Sequence, residues 1–440
     1  MKKVTIVLFI SVLISFLFLP VFGKGVEGFG GGNELEKKKE NIEQKKLGEQ
    51  TQREAEAQKA NVIKEEPELI WQKDFGEEIR QTKFHKTIGP SDFPIMAVET
   101  DNNFFVFDRK GNDLKRAIPK YELKDKKETH RGFVQISDNG EYILEGEWIA
   151  EILAQLKYTT VQGRKLWEKK DFYGSTAISP NGDVVTLLNT EGGKDKKGCV
   201  EFYNRAGKLL KQYSMDLSSL AEMAYYAFSF SKDGNYFVLR LEQWKEDKKD
   251  KKAIYPVILF NKKGELLWQK EIEVRPGKTP LFQLLISAHG NLIAYSGDNY
   301  ICVVNKDGKL LWKKEPYSLL YSFSDNEDLV AIGEYESFNI AKASNGEEVW
   351  PTTQGYSVIS PDGALLAVIT SISELNEKKL TVHIARILDK KSKLILKTTY
   401  LHPSKIKFKF SADSKYLYYM EREKTKVAVF RIDITKFCRN

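Results

Sequence analysis

The chain has 440 residues and a mass of 50.5 kDa, with 41% hydrophobic, 12% aromatic and 30% charged residues, a globular composition that excludes collagen-like and disordered chains. It is too long for one ordinary compact domain but suits a single large barrel or propeller of roughly 200–400 residues, so internal repeats are the first question. Lys and Arg number 69 against 61 Asp and Glu, and the net +8 is spread over alternating residues, which argues against a nucleic-acid partner. Three cysteines, Cys199, Cys302 and Cys438, exclude a disulfide-dense scaffold and a four-thiolate metal site.

At the N-terminus, Lys2-Lys3 precede an uncharged, mostly apolar stretch from Val4 to Leu19, then Pro20, with Val21 and Gly23 at the two positions a signal peptidase reads. Residues 1–23 are therefore expected to be a secretory signal. The apolar stretch falls short of the roughly 20 residues that span a bilayer, so cleavage is expected, with an uncleaved anchor as the alternative. No cysteine precedes Cys199, which argues against a lipoprotein anchor. The mature chain is expected to be periplasmic or secreted, with no integral membrane span. Residues 24–67 open on Gly25, Gly28 and Gly30–Gly32, and Glu34–Glu66 then holds nine Glu against eight Lys and Arg with little to bury. That segment reads as a solvated, partly helical linker.

From residue 68 two words alternate. The first is Ser-x-Asp/Asn-Gly before an apolar run, at Ser137–Gly140, Ser179–Gly182, Ser231–Gly234 and Ser360–Gly363, with degenerate copies at Ser287–Gly290, Ser324–Glu327, Ser411–Ser414 and, faintly, Ser91-Asp92. The second is an apolar strand ending in Asn or Asp, a Gly three residues on, an apolar pair, then Trp or Lys. It stands at Asn204–Lys211, Asn261–Trp268, Asn305–Trp312 and Asp108–Lys115, and Gly163 with Trp167 and Gly346 with Trp350 keep the Gly-to-Trp offset. Each word predicts a hairpin turn, with Asn or Asp capping and Gly accepting positive φ. A unit reads as strand A, Ser turn, strand B, loop, strand C, Asn turn, strand D, which is one four-stranded antiparallel blade.

The 373 residues from 68 to 440 give about 47 per unit for eight units and about 53 for seven, against a usual propeller spacing of roughly 40–50. An all-β, eight-bladed β-propeller is expected, with seven blades as the alternative and a β-sandwich array as the structural rival. The chain ends after a strand C, Val427–Ile434, while an orphan strand around Trp71 opens the repeat region, so the two should pair and complete the last blade.

The words Gly-Glu-Leu-Leu-Trp-Gln-Lys (264–270), Gly-Lys-Leu-Leu-Trp-Lys-Lys (308–314) and Ile-Ser-Pro-Asp-Gly (359–363) resemble bacterial propellers of the pyrroloquinoline-quinone-like and WD-repeat-like kind. The resemblance implies the fold and leaves the activity open, since enzymes, scaffolds and receptors share it. Quinoprotein dehydrogenases of that family hold their cofactor with a vicinal disulfide and calcium; no two cysteines are adjacent here, so no cofactor is expected. The nearest known role in the family is that of the propeller assisting outer-membrane protein assembly, which is a lipoprotein, as this chain is not expected to be.

Catalytic signals are sparse. His85, His130, His289, His383 and His402 lie far apart without metal-ligand spacing, and His289 occupies the Asp position of a Ser-x-Asp-Gly turn. Trp71, Trp167, Trp268, Trp312 and Trp350 recur on strand D, where each is expected to pack between blades with its N–H on a backbone carbonyl. Cys199 and Cys302 fall on strands C of the third and fifth blades, too far apart to pair.

The functional clue is the end of the ring where B–C and D–A connections emerge. Long B–C insertions are expected at Glu145–Leu156, Glu191–Gly198, Glu242–Lys252, Ser371–Lys379 and Glu421–Lys426. Trp148 and Trp244, the two tryptophans outside strand D, fall in two of them, and residues 245–252 carry five Lys, among them Lys245, Lys248 and Lys249, against three acids. Such rings beside basic loops suit a protein-binding hot spot. Tyr173, Tyr225, Tyr226, Phe282, Tyr321 and Tyr356 are expected in D–A segments just before strand A, where some should ring the channel mouth. The expected protein is a monomeric, non-catalytic scaffold for a protein or peptide partner, with a propeller lyase or hydrolase as the alternative.

Overall fold

The computed structural model describes residues 67–435 apart from 85–95, 109, 120, 125–126, 150–152, 173, 191–196, 217–225, 242, 247–250, 275–282, 298, 318, 335–336, 375–376, 391 and 401–405. The expected signal, the expected linker up to residue 66, Ser91-Asp92 and Cys438 lie outside the described residues. The Ser word folds as a closed turn. Its hydroxyl donates to the Asn or Asp side chain two residues on, as from Ser137 to Asn139 and Ser231 to Asp233 (both 2.6 Å). The same oxygen accepts from the amide five residues on, as from Tyr142 (3.0 Å) and Leu365 (2.8 Å). These bonds let the serines be buried at no polar cost, and Ser137, Ser179, Ser231, Ser287, Ser324, Ser360 and Ser411 are all shielded from solvent. The fourth residue is left-handed even where glycine is missing: Glu327 and Ser414 sit at φ 64° and 58°. In the Asn word one side-chain oxygen caps two amides. Asn204 Oδ1 accepts from Ala206 (3.0 Å) and Lys208 (2.9 Å), and Asn305 Oδ1 from Asp307 (3.1 Å) and Lys309 (2.8 Å).

Between these turns the apolar runs form eight antiparallel sheets. Blade 1 is Ile79–Phe84, Met96–Thr100, Asn103–Phe107 and Asp113–Pro119. Blade 2 is Lys127–Ile136, Tyr142–Ile149, Leu153–Thr160 and Lys165–Phe172, extended by Tyr121–Lys124. Blade 3 is Gly174–Ile178, Val184–Thr190, Lys197–Asn204 and Leu209–Asp216. Blade 4 is Tyr226–Phe230, Tyr236–Leu241, Lys251–Asn261 and Leu266–Val274, with Gln243–Glu246 added. Blade 5 is Leu284–Ile286, Leu292–Ser296, Ile301–Asn305 and Leu310–Lys314. Blade 6 is Leu319–Phe323, Leu329–Glu334, Ser337–Lys342 and Glu348–Gln354. Blade 7 is Tyr356–Ile359, Leu365–Glu374, Glu377–Arg386 and Ser392–Tyr400. Blade 8 is Ile406–Phe410, Tyr416–Arg422 and Lys426–Asp433, completed by the N-terminal strand Glu68–Asp74. The count is eight, and strands A of neighbouring blades approach one another at the centre.

The buried side chains of the described residues gather into eight apolar clusters, one at each junction between consecutive blades, including blade 8 with blade 1. That pattern is what a closed ring demands, because both faces of every sheet are covered. At the closing junction Trp71 packs with Ile79, Val98 and Phe107 of blade 1 and with Tyr418, Met420 and Val427 of blade 8. Glu77, on the link into blade 1, accepts from the Thr100 hydroxyl (2.7 Å) and from the Asn102 and Asn103 side-chain amides (both 2.8 Å). Burial alone would raise the Glu77 carboxyl, but these hydrogen bonds outweigh it and hold it below the usual carboxylate range. A carboxyl depressed on folding contributes stability that is present above its unfolded pKa of about 4.3 and is lost as the pH falls through the folded value. Glu77→Gln should therefore flatten the loss of stability on acidification below roughly pH 5, read as urea midpoints against pH. An acid limb identical to wild type would remove Glu77 from the closure.

Every strand D carries a β-bulge at the same place. Ladder positions skip Ile70, Leu114, Leu166, Leu210, Leu267, Leu311, Val349 and Ile395, the residue before each Trp or its equivalent. One extra residue breaks the alternation, which is why two apolar residues stand side by side in the Leu-Leu-Trp word. It also interrupts the outermost strand, the only one without an outer neighbour, and so discourages edge-to-edge pairing.

The strand-D tryptophans pack between blades. Trp71, Trp312 and Trp350 are buried, and Trp167 and Trp268 are partly buried against the same kind of junction. Several press on the Asn-word glycine of the next blade, where an added Cβ would stand 2.6 Å from Trp71 at Gly111, 2.7 Å from Trp167 at Gly207 and 2.9 Å from Trp312 at Gly346. The expectation of a carbonyl partner for each indole holds for Trp268, donating to Lys306, and Trp312, donating to Ala343 (both 2.8 Å). It fails elsewhere. Trp350 donates to the Thr353 hydroxyl (3.1 Å), and the Trp71 and Trp167 N–H groups have no acceptor among the described residues, their rings lying instead against Phe107 and against Tyr158 and Tyr203.

Candidate functional site

The two ends of the ring differ. At one end the Ser turns are laced together from blade to blade: the Asn139 amide donates to Pro180 O (3.1 Å), Asp233 to Ala288 O (3.1 Å) and Asp325 to Pro361 O (3.0 Å). Glu327 reaches back to the His289 amide (2.6 Å) and the Asn291 side chain (2.7 Å). Lys232 of blade 4 reaches past blade 5 to form an ion pair with Asp325 of blade 6. Burial would raise the Asp233 carboxyl, but the Ser231 hydroxyl and Asn235 bind it and, with His289 nearby, hold it low. These groups serve the turns.

At the other end the strands outgrow the ring. Blade 2 carries strands of 10 and 8 residues, blade 4 one of 11 and blade 7 two of 10, where blade 5 has strands of 3 and 5 and blade 6 of 5 and 6. Three of the expected B–C loops are thus corrected to hairpins: in blade 2 Trp148 faces His130 on one side and Ala154 on the other, in blade 7 Ser371 faces Leu380, and in blade 4 an extra strand sets Trp244 opposite Ala253. The reason lies in the residues between. Glu145 and Glu147 are buried, and Glu147 takes the Lys157 ammonium at 2.6 Å, so charges that suggest a loop are in fact paired inside a sheet.

Lys245 lies opposite Lys252 in that added hairpin. Tyr226 opens blade 4 opposite Leu241, and Tyr356 opens blade 7 opposite Ile369 with half its surface exposed, at 50%. Lys248, Lys249, Tyr173, Tyr225 and Phe282 lie outside the described residues. Tyr356 and Tyr321 come together: burial, then the neighbouring Tyr356, pushes the Tyr321 hydroxyl up to about 12, and that hydroxyl donates to Ser337 O (3.1 Å). Sequence reasoning missed the Lys169 ammonium, bound by Glu201 and by the Tyr203 hydroxyl (2.8 Å), at the junction of blades 2 and 3. Among the described residues no three His, Cys, Asp or Glu side chains converge as metal ligands, neither Cys199 nor Cys302 is in a disulfide, and no helix is long and apolar enough to cross a membrane.

The likeness to solved structures is one of fold. A eukaryotic initiation factor is similar at 13% identity with a TM-score of 0.46, covering 74% of this chain and 89% of that one. The WD40 domain of SCAP from fission yeast is similar at 12% and 0.40, covering 70% and 84%. Prolyl oligopeptidase B from Galerina marginata is similar at 10% and 0.43, covering 80% of this chain and 56% of that one. No family model and no curated protein matches the chain.

Proposed function

We propose that the protein is a non-catalytic, extracytoplasmic propeller of the pyrroloquinoline-quinone-like and WD-repeat-like kind that holds a protein or peptide partner against the hairpin-bearing end of its ring. The asymmetry of the ends supports this reading: one is laced by turn hydrogen bonds and the Lys232–Asp325 pair, while the other raises the hairpins of blades 2, 4 and 7. Trp148 and Trp244 are the anchors, Lys245, Lys248 and Lys249 supply charge, and Tyr173, Tyr225, Tyr226, Phe282 and Tyr356 form an aromatic rim. The Lys2-Lys3 and Val4–Leu19 segment supports export with cleavage, leaving residues 24–67 as a spacer that positions the ring.

The test is a Trp148→Ala/Trp244→Ala double substitution. Thermal stability should change little, while binding of a partner captured from the envelope fraction should weaken by about 2 kcal/mol or more per residue. Stability losses as large as the roughly 3–5 kcal/mol expected for Trp312→Ala would put both rings in a core and remove the anchors. Turnover of a substrate that survives the double substitution would favour the competing reading, a lyase or hydrolase at the channel mouth.

A further inference from the structure

Five of the large apolar side chains exposed among the described residues lie on three consecutive outer strands. They are Leu209 (42%) and Leu210 (39%) in blade 3, Leu266 (42%) and Leu267 (45%) in blade 4, and Leu310 (49%) in blade 5. All five occupy the bulge residue or the one before it, so the repeated geometry turns them outward at one height. In blades 1, 2 and 6 the first of these positions holds Asp113, Lys165 or Glu348, each exposed, and Leu69 takes it in blade 8, away from the three. The three strands are continuous. An added Cβ on Gly264 of blade 4 would stand 2.7 Å from Lys211 Cβ of blade 3, one on Gly308 of blade 5 would stand 3.2 Å from Trp268 of blade 4, and the Tyr213 hydroxyl meets the Gln269 side chain at 3.1 Å.

Around the leucines six lysines, Lys208 and Lys211 in blade 3, Lys262 and Lys263 in blade 4, and Lys306 and Lys309 in blade 5, outnumber two acids, Glu265 and Asp307. None of the six is in an ion pair among the described residues, whereas Lys73 and Lys165 on the outer strands of blades 8 and 2 and Lys342 beside that of blade 6 each meet a carboxylate, as do Lys313 and Lys314 at the far end of the blade 5 strand. We propose that this arc of blades 3, 4 and 5 is a docking surface for an acidic amphipathic helix of a partner protein, with its apolar side on the leucines and its carboxylates on the lysines. A second copy of the chain would bring like charges together. The bulges break the free edges, so side chains rather than an added strand do the recognising. This surface lies on the rim and does not depend on the hairpin-bearing end.

The experiment uses the full chain and fluorescence anisotropy of a synthetic amphipathic helix with leucine on one face and glutamate on the other. Binding is expected, weakening with salt, and each of two triple variants, Leu209→Ser/Leu266→Ser/Leu310→Ser and Lys208→Glu/Lys262→Glu/Lys309→Glu, should weaken it about tenfold or more. Leu69→Ser on blade 8 should leave it unchanged, and the melting curves of all the variants should overlay wild type. Equal affinity for a lysine-faced version of the peptide, no binding of the glutamate-faced one, or indifference to both triple variants would overturn the proposal. So would leucine-dependent cosedimentation with phosphatidylserine vesicles, which would make the arc a membrane contact, or leucine-dependent self-association by sedimentation velocity.

Discussion

Deleting residues 24–73 should destabilise the protein far more than deleting 24–64, because only the longer deletion removes the strand Glu68–Asp74, all but its last residue. That strand pairs with Lys426–Asp433, Trp71 opposite Val429, and supplies the outer strand of blade 8. Without it Phe107, Val427 and Val429, all fully buried, face water, and the ring opens at the one junction where the first and last described strands meet. Loss of the Trp71 side chain alone is worth about 3–5 kcal/mol, a large share of the roughly 5–15 kcal/mol that holds a domain together. The measurement is the urea midpoint of the two truncations, with Trp71→Ala in the full chain as the variant that keeps the backbone ladder. Equal midpoints for the two truncations would mean that blade 8 stands with three strands and that the ring is not held at this seam.

Gly182→Ala should be markedly worse than Gly163→Ala. Both glycines are left-handed, at φ 71° and 90°, so both substitutions carry the backbone strain of about 1–2 kcal/mol. Around Gly163 nothing stands within 4 Å of an added Cβ, while at Gly182 it would stand 2.2 Å from the Tyr142 ring and 2.9 Å from the Tyr158 hydroxyl. That hydroxyl donates to the Gly182 carbonyl across the junction of blades 2 and 3 (2.5 Å). Displacing the two rings adds about 1–3 kcal/mol of overpacking and threatens that bond as well. Equilibrium unfolding in urea separates the two cases. Equal costs would indicate that Tyr142 moves aside freely and that the Ser turns are not packed against their neighbours.

Much of this architecture was readable from residues alone, because the two turns are local. A serine hydroxyl that must find Asp or Asn two residues on, and an Asn that caps two amides beyond it, can be built from few residue types, so eight blades could be counted from Ser137, Asn204 and their repeats. Where the turn survived without its marker residue the words faded, as at Glu327, Ser414 and Lys390, which hold positive φ without glycine. The bulges were hidden in plain spelling: an apolar pair before Trp looks like extra hydrophobicity until the ladder shows that one residue of the pair is skipped. The hairpins of blades 2 and 4 look like loops in the sequence because Glu145, Glu147 and the lysines of 245–252 carry charge, and charge in a strand is invisible to periodicity when its partner, such as Lys157 for Glu147, comes from a neighbouring strand. The candidate site was therefore legible as a place, the B–C end of the ring, while its form as rising sheet was not.

The scaffold reading stands or falls on where a partner lies. Hydrogen–deuterium exchange of the protein with and without its captured envelope partner is the most direct measurement. Protection is expected in the hairpins Tyr142–Thr160 and Gln243–Ile254 and at the start of blade 7 around Tyr356. Protection confined to the Ser turns around Lys232, Asp325 and Pro361, with the hairpins exchanging as in the free protein, would contradict it.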